Sequence, residues 1–257
     1  MRLHRLLEGP ADAPVLVLSN SLGTTLAMWD AQVPALTERF RIVRYDRRGH
    51  GRSPVPPGPY SIDDLGRDVL SLLDELEVER FSFCGLSIGG AVGMWLALEA
   101  PERLNRLALC CTRPAFLPPE QWLDRATIVR EGGMTAVSEG ALGRWFTERF
   151  HAEHPDVVNA FRTMLVETPT EGYAACCEAL AAFDLRSRLG AITTPTLVVT
   201  GGADPVAPPE SGAELAAAIP GATHVVIPGA AHIANVAQPA AFTAALLAHL
   251  DSERGDA

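Results

Sequence analysis

Six short apolar runs that largely lack alternation constrain this chain more than any other feature: VLVLS (15–19), RIVRY (41–45), FSFCG (81–85), RLALCC (106–111), TLVVT (196–200) and HVVIP (224–228). A strand with one wet face reads apolar–polar with a period of two, so runs without that period are expected to be covered on both faces. Helical patterns separate them. The segment 61–78 opens with Ser61 and Asp64 at the spacing of a capping box, and 87–100 and 240–250 carry apolar residues at helical spacing. Buried strands alternating with helices specify an α/β fold, a mostly parallel sheet with right-handed crossovers and flanking helices. A further pairing strand is expected within residues 2–7.

The rhythm breaks between about 114 and 190. This stretch contains helical patterns such as TAVSEGALGRWFTERF and EGYAACCEALAAF and no convincing strand. It reads as a helical cap inserted between late strands, dividing the chain into core (1–113), cap (114–190) and core (191–257). There are no internal repeats, and the tail DSERGDA is expected to fray.

Composition narrows the function classes. Hydrophobic residues at 47% with 20% charged describe a soluble globular protein with a sizeable core. No run of about 18 apolar residues is present to span a membrane. The first residues lack an apolar h-region and a cleavage site, so the cytoplasm is the default expectation. A net charge of −10 argues against nucleic acid, which selects a basic face. All 21 positive residues are arginine, a bias best read as genomic. The five cysteines (84, 110, 111, 176, 177) lack CxxC spacing and sit mostly among apolar neighbours, so they read as reduced core thiols. No histidine–carboxylate cluster has zinc spacing and no glycine-rich loop has phosphate-binding form; neither metal nor cofactor is expected.

Chemistry gathers at strand ends. FSFCG runs into Gly85-Leu86-Ser87-Ile88-Gly89, a G-x-S-x-G pattern placed where a buried strand becomes a helix. Glycines on both sides permit the tight turn that lifts the Ser87 hydroxyl clear. The bland alternative is a serine N-cap between packing glycines. A serine nucleophile needs a base oriented by an acid. Strand TLVVT is followed by Asp204 and strand HVVIP by His232, in the order serine, acid, histidine and each just past a strand's C-terminal end. Singly, Asp204 reads as a turn residue and His232 as a cap or packed histidine; together they read as a triad. His224 begins a strand, on the wrong side of the sheet. His50, in YDRRGHGRSP, precedes Ser87 and reads as scaffold rather than the base; Arg47 and Arg48 read as structural in the same turn, with a contribution to anion binding as the alternative.

With these motifs placed, the chain resembles the α/β-hydrolases over essentially its whole length, through SNSLGT, YDRRGHGRSP, CGLSIGG, GGADPVAP and GAAH. Asn20-Ser21 stands where many relatives carry His-Gly. That departure, with the following MWD, YDRRGHGRS and the cap's RWF, resembles the 3-oxoadipate enol-lactonases of aromatic catabolism. The resemblance implies hydrolysis of a small anionic lactone to 3-oxoadipate through an acyl-enzyme, without cofactor. The backbone N–H of Ile88 and, by position in the early loop, of Leu22 would form the oxyanion hole. Arg144 and Trp145 would clamp the carboxylate and cover the ring; the alternative makes Arg144 a solvated helix residue and Trp145 a packing residue. A carboxylesterase or carbon–carbon bond hydrolase with the same triad, and a non-catalytic ligand receptor, remain the competing functions. Ser87 counts against the dehalogenases and epoxide hydrolases of this fold, which use aspartate.

Overall fold

Each of the six runs forms a strand. The computed structural model describes residues 1–251; the expected fraying of the tail falls largely outside them. The strands are β1 (Arg5–Glu8), β2 (Val15–Ser19), β3 (Arg41–Tyr45), β4 (Phe81–Leu86), β5 (Leu104–Cys110), β6 (Thr196–Gly201) and β7 (Thr223–Ile227). They make one sheet in the order β1-β3-β2-β4-β5-β6-β7, with β1 antiparallel to β3 and every other pair parallel. From β2 the chain moves outward to β3, then returns to β4 on the other side of β2. That reversal opens a crevice at the carboxyl ends of β2 and β4, where open α/β sheets bind ligands. The register pairs Ser19 with Gly85, so the loops beginning at Asn20 and Ser87 leave the sheet side by side.

The helices are α1 (Val33–Leu36), α2 (Ile62–Asp74), α3 (Ile88–Glu99), α4 (Glu120–Gly132), α5 (Thr135–Trp145), α6 (Glu148–Glu153), α7 (Pro155–Val166), α8 (Thr170–Ala181), α9 (Pro209–Ala218), α10 (Ala234–Ala237) and α11 (Pro239–Asp251). The capping box opens α2: Ser61 Oγ accepts from the Asp64 amide at 3.0 Å, and the Asp64 carboxylate accepts from the Ser61 amide at 2.9 Å. α3 packs on β4 and β5 with α2 against it, and α9 packs on β6 and β7. Helices α4–α8 lie between β5 and β6. Within this insertion α4 packs on α8, and a single bridge, Ala115 to Asp184, closes its base.

Two expectations need correction. HVVIP is not covered on both faces: β7 is an edge strand, and Val226 is 41% exposed. RLALCC begins two residues late, because β5 already pairs at Leu104. The five cysteines are all free and buried, with Cys84 and Cys110 Sγ atoms 3.8 Å apart on neighbouring strands. Among the described residues no helix is long and apolar enough to cross a membrane.

Gly66 decides how closely α2 approaches α3, since a Cβ there would overlap the indole of the buried Trp95. Helix propensity alone would make Gly66→Ala stabilising by about 0.5–1 kcal/mol. Overpacking costs about 1–3 kcal/mol, so the variant is expected to be net destabilised in urea unfolding. A stabilised variant would mean that the indole moves aside at little cost.

Candidate active site

β4 is buried throughout and delivers Ser87 with φ 60° and ψ −119°, a conformation that a residue with a side chain holds only under constraint. The constraint is a ring of hydrogen bonds. The Ser87 amide donates to the Cys110 carbonyl at 2.8 Å, and its own carbonyl accepts from the Gly90 amide, the Ala91 amide and Thr112 Oγ1 at 2.8, 3.1 and 2.7 Å. Both glycines of the motif are sterically required: a Cβ on Gly85 would overlap the Gly89 carbonyl, and one on Gly89 would overlap the Ser19 carbonyl. Ser87 occupies the N-cap position of α3, yet its side chain makes no capping hydrogen bond. The hydroxyl therefore does not serve the helix. Ile88 follows as the first residue of α3, so its amide has no acceptor within that helix.

Asp204 and His232 meet on the other side of the crevice. Their loops are joined by the Gly202 amide on the Ile227 carbonyl at 2.9 Å and the Ala203 amide on the Ala230 carbonyl at 2.8 Å. His232 Nδ1 lies 2.9 Å from Asp204 Oδ2, while Asp204 Oδ1 accepts from the Val206 amide at 2.8 Å. Asp204 thus organises its own turn and orients the imidazole. Burial opposes its ionisation, but the charge and hydrogen bond of His232 and the amides of Val206 and Ala207 outweigh burial and hold its pKa below the usual value. With Nδ1 engaged, the remaining ring nitrogen of His232 is Nε2. The insertion reaches this loop directly: the amides of His232 and Ile233 donate to the carbonyls of Arg144 and Trp145 at 3.4 and 3.1 Å.

Leu22 sits in a loop pinned at every neighbouring peptide. Asn20 is anchored through its side chain, donating to the Tyr45 carbonyl at 2.9 Å and accepting from Trp29 Nε1 at 3.1 Å. Thr24 Oγ1 donates to the Ser21 carbonyl at 2.9 Å, and the Gly23 amide donates to His50 Nε2 at 3.0 Å. His50 is scaffold, as expected. Burial and then the neighbouring Arg47 charge lower its pKa to about 3, which keeps Nε2 an acceptor. Arg48 pairs with Asp68 at 2.6 Å, a second scaffold contact.

Ser21, Leu22, Ser87 and His232 line one cavity of about 340 Å³ counted to its open mouth, and Arg144 and Trp145 line it too. Trp145 also packs edge-on against Phe161 with centroids 6.1 Å apart, the packing contact of the alternative reading. Sequence reasoning missed Trp122, Arg125 and Tyr173, which line the same cavity. The Arg125 guanidinium lies 4.7 Å over the Trp122 ring and hydrogen-bonds Tyr173. The Trp-x-x-Arg spacing on α4 places both on one helix face, but α4 is too polar to reveal which face turns inward. Burial and then repulsion from Arg125 lower the pKa of Arg144. Among the described residues neither arginine has an ion-pair partner. A wider cleft of about 910 Å³ lies between α7 and the turn after β3, near His4 and Asp46, away from Ser87.

A sharp strand–serine–helix turn, an acid and a histidine from successive later strand ends, and a helical insertion over them define an α/β hydrolase. The family model for the alpha/beta hydrolase fold matches residues 14–239, and the chain belongs to that family. It is 44% identical to 3-oxoadipate enol-lactonase 2 of Acinetobacter baylyi, over 93% of this chain and 89% of that protein. Its structure is similar to that of the enol-lactonase from Burkholderia xenovorans, with a TM-score of 0.95 and 46% identity over 96% of both chains. It is also similar to that of a hydrolase from Pseudomonas aeruginosa, with a TM-score of 0.94 and 48% identity, covering 96% of this chain and 94% of that one.

Neutral burial of His50 has a measurable consequence. A histidine whose folded pKa is lowered takes up its proton in the unfolded chain first, so stability falls as pH drops from 6.5 toward about 3. Wild-type protein should lose up to about 1.4 kcal/mol per pH unit from this residue in that window. His50→Gln should show a shallower acid dependence in urea titrations at pH 6 and pH 4. Parallel curves for the two proteins would show that His50 is not neutral when folded.

Proposed function

We propose that this hydrolase opens 3-oxoadipate enol-lactone to 3-oxoadipate, in the breakdown of protocatechuate and catechol, through an acyl-enzyme on Ser87. The observation that carries the substrate class is the pair of arginines, Arg125 and Arg144, which have no ion-pair partner among the described residues and line the cavity that also holds Ser87. Two guanidinium groups left beside a nucleophile select a small substrate bearing a carboxylate. The proteins from Acinetobacter baylyi and Burkholderia xenovorans are both called enol-lactonases, which supports the lactone over other anionic esters. The segment 114–190 acts as the cap over this site.

His232 Nε2 takes the proton of Ser87 Oγ as the oxygen adds to the lactone carbonyl, while Asp204 holds the imidazole and stabilises its charged form. The amides of Leu22 and Ile88 receive the developing oxyanion. Collapse breaks the ring C–O bond and releases an enolate, which takes a proton and becomes the ketone. The open chain stays attached to Ser87 as an ester. Water deprotonated by His232 then adds to that ester, Ser87 leaves with its proton restored, and the new carboxylate departs. Side chains and water suffice for every step.

Ser87→Ala should abolish turnover of the lactone with an unchanged circular dichroism spectrum; near-normal activity would sink the nucleophile assignment. Arg125→Ala and Arg144→Ala should each lower kcat/KM on the lactone by roughly 10- to 100-fold, about 1.4–2.8 kcal/mol, and far less on p-nitrophenyl acetate. Equal losses on the anionic and neutral substrates would remove the receptor. The substrate itself is tested by comparing the lactone, p-nitrophenyl acetate and a ring-cleavage diketone on wild-type protein. Preference for the ester or the diketone would overturn the lactone.

A further inference from the structure

Arg47 is the one fully buried arginine placed behind the loop that carries Leu22, and its contacts do not explain it as a stabilising residue. Arg47 is 3% exposed, and its Nε and Nη1 atoms have no hydrogen-bond partner among the described residues. The adjacent carboxylate, Asp46, is committed elsewhere, accepting from the Leu26 and Arg52 amides at 2.8 and 3.0 Å and pairing with His4 at 2.8 Å. A buried cation with three of its five N–H donors idle costs folding free energy rather than contributing it. Its one directed contact is Nη2 donating to the carbonyl of Asn20.

That contact completes a set. Three consecutive peptide groups of the loop are each fixed from outside: the Asn20 carbonyl by Arg47, the Ser21 carbonyl by Thr24 Oγ1, and the Gly23 amide by His50 Nε2. The Leu22 amide belongs to the middle group. In a trans peptide the N–H points opposite to the C=O, so fixing the Ser21 carbonyl aims the Leu22 N–H the other way. We propose that Arg47 is a positioning residue for the oxyanion hole, holding the peptide before the Leu22 amide while His50 holds the peptide after it. This rests on the serine-hydrolase reading above. The charge of Arg47 also serves the second anchor, because burial and then Arg47 keep His50 unprotonated and able to accept from Gly23.

The test separates positioning from plain stability. In Arg47→Met a linear apolar chain replaces the buried cation, so the urea midpoint should be unchanged or higher. On p-nitrophenyl acetate, which carries no anion to attract, kcat should fall roughly 10- to 100-fold with KM within about twofold, as expected when only a transition-state donor is misaligned. Affinity for a trifluoromethyl ketone, whose adduct with Ser87 carries an oxyanion, should fall in parallel. Arg47→Lys should recover part of kcat, and Thr24→Val, which frees the Ser21 carbonyl, should reproduce the Arg47→Met pattern more mildly. A kcat within twofold of wild type, a higher KM at unchanged kcat, or a variant that fails to fold would each overturn the proposal. Failure of a fluorophosphonate to label Ser87 in the wild type would instead overturn the hydrolytic reading itself.

Discussion

The contact on which the site depends is backbone against backbone. The first turn of α3 crosses the end of β2 so closely that Gly89 has no room for a Cβ beside the Ser19 carbonyl. Because Ser19 is in register with Gly85, this crossing fixes the distance between the loop holding Leu22 and the turn holding Ser87. The strain of a non-glycine residue at φ 60° is offset by four hydrogen bonds to the Ser87 backbone. Sheet topology supplies the rest: at the reversal between β2 and β4 two neighbouring strand ends release their loops into one crevice.

The other half of the site is built by a different device. Asp204 and His232 come from loops joined to each other by backbone hydrogen bonds, and the His232 loop is joined in turn to the last carbonyls of α5. A helix that contributes Arg144 and Trp145 to the cavity therefore also sets the position of the imidazole. In the proposed mechanism substrate recognition and proton transfer would share a mechanical support, so that changes in the insertion that shift α5 would act on both. This gives a physical reason why substitutions in α5 remote from the cavity can alter rate as well as binding.

What was legible in the sequence follows from what leaves a local trace. The strands announce themselves through β-branched apolar runs, and G-x-S-x-G is legible because a steric demand at two backbone positions admits only glycine. Asp204 and His232 follow from chain order once the fold is known. Arg125 left no such trace. Its partners, Trp122 one turn earlier and Tyr173 on α8, become meaningful only when α4 packs on α8. The exposed face of β7 was also hidden, since an apolar edge strand reads like a buried one. The turn holding His50 and Arg47 could be read as structural from its glycines and Asp46, but not which peptide each of the two side chains holds.

The electrostatics show why net charge misleads about a site. The chain carries a charge of −10, yet its candidate cavity holds two arginines that have no carboxylate partner among the described residues, and another arginine is buried behind the Leu22 loop. Surface carboxylates act across water and are screened within about 10 Å at ordinary ionic strength, whereas buried guanidinium groups act through a medium of much lower dielectric constant. Two of them, Arg47 and Arg144, resist burial, as their lowered pKa values record. A carboxylate bound in the cavity would relieve that cost at Arg144, whereas Arg47 is enclosed behind the loop. Its charge instead falls on the loop peptides and on His50, which it helps to keep a neutral acceptor for the Gly23 amide. In the proposed mechanism the two cavity arginines and the enclosed one thus divide the work: the first pair would recognise charge that the substrate brings, and the last would prepare the backbone for charge that appears only during reaction.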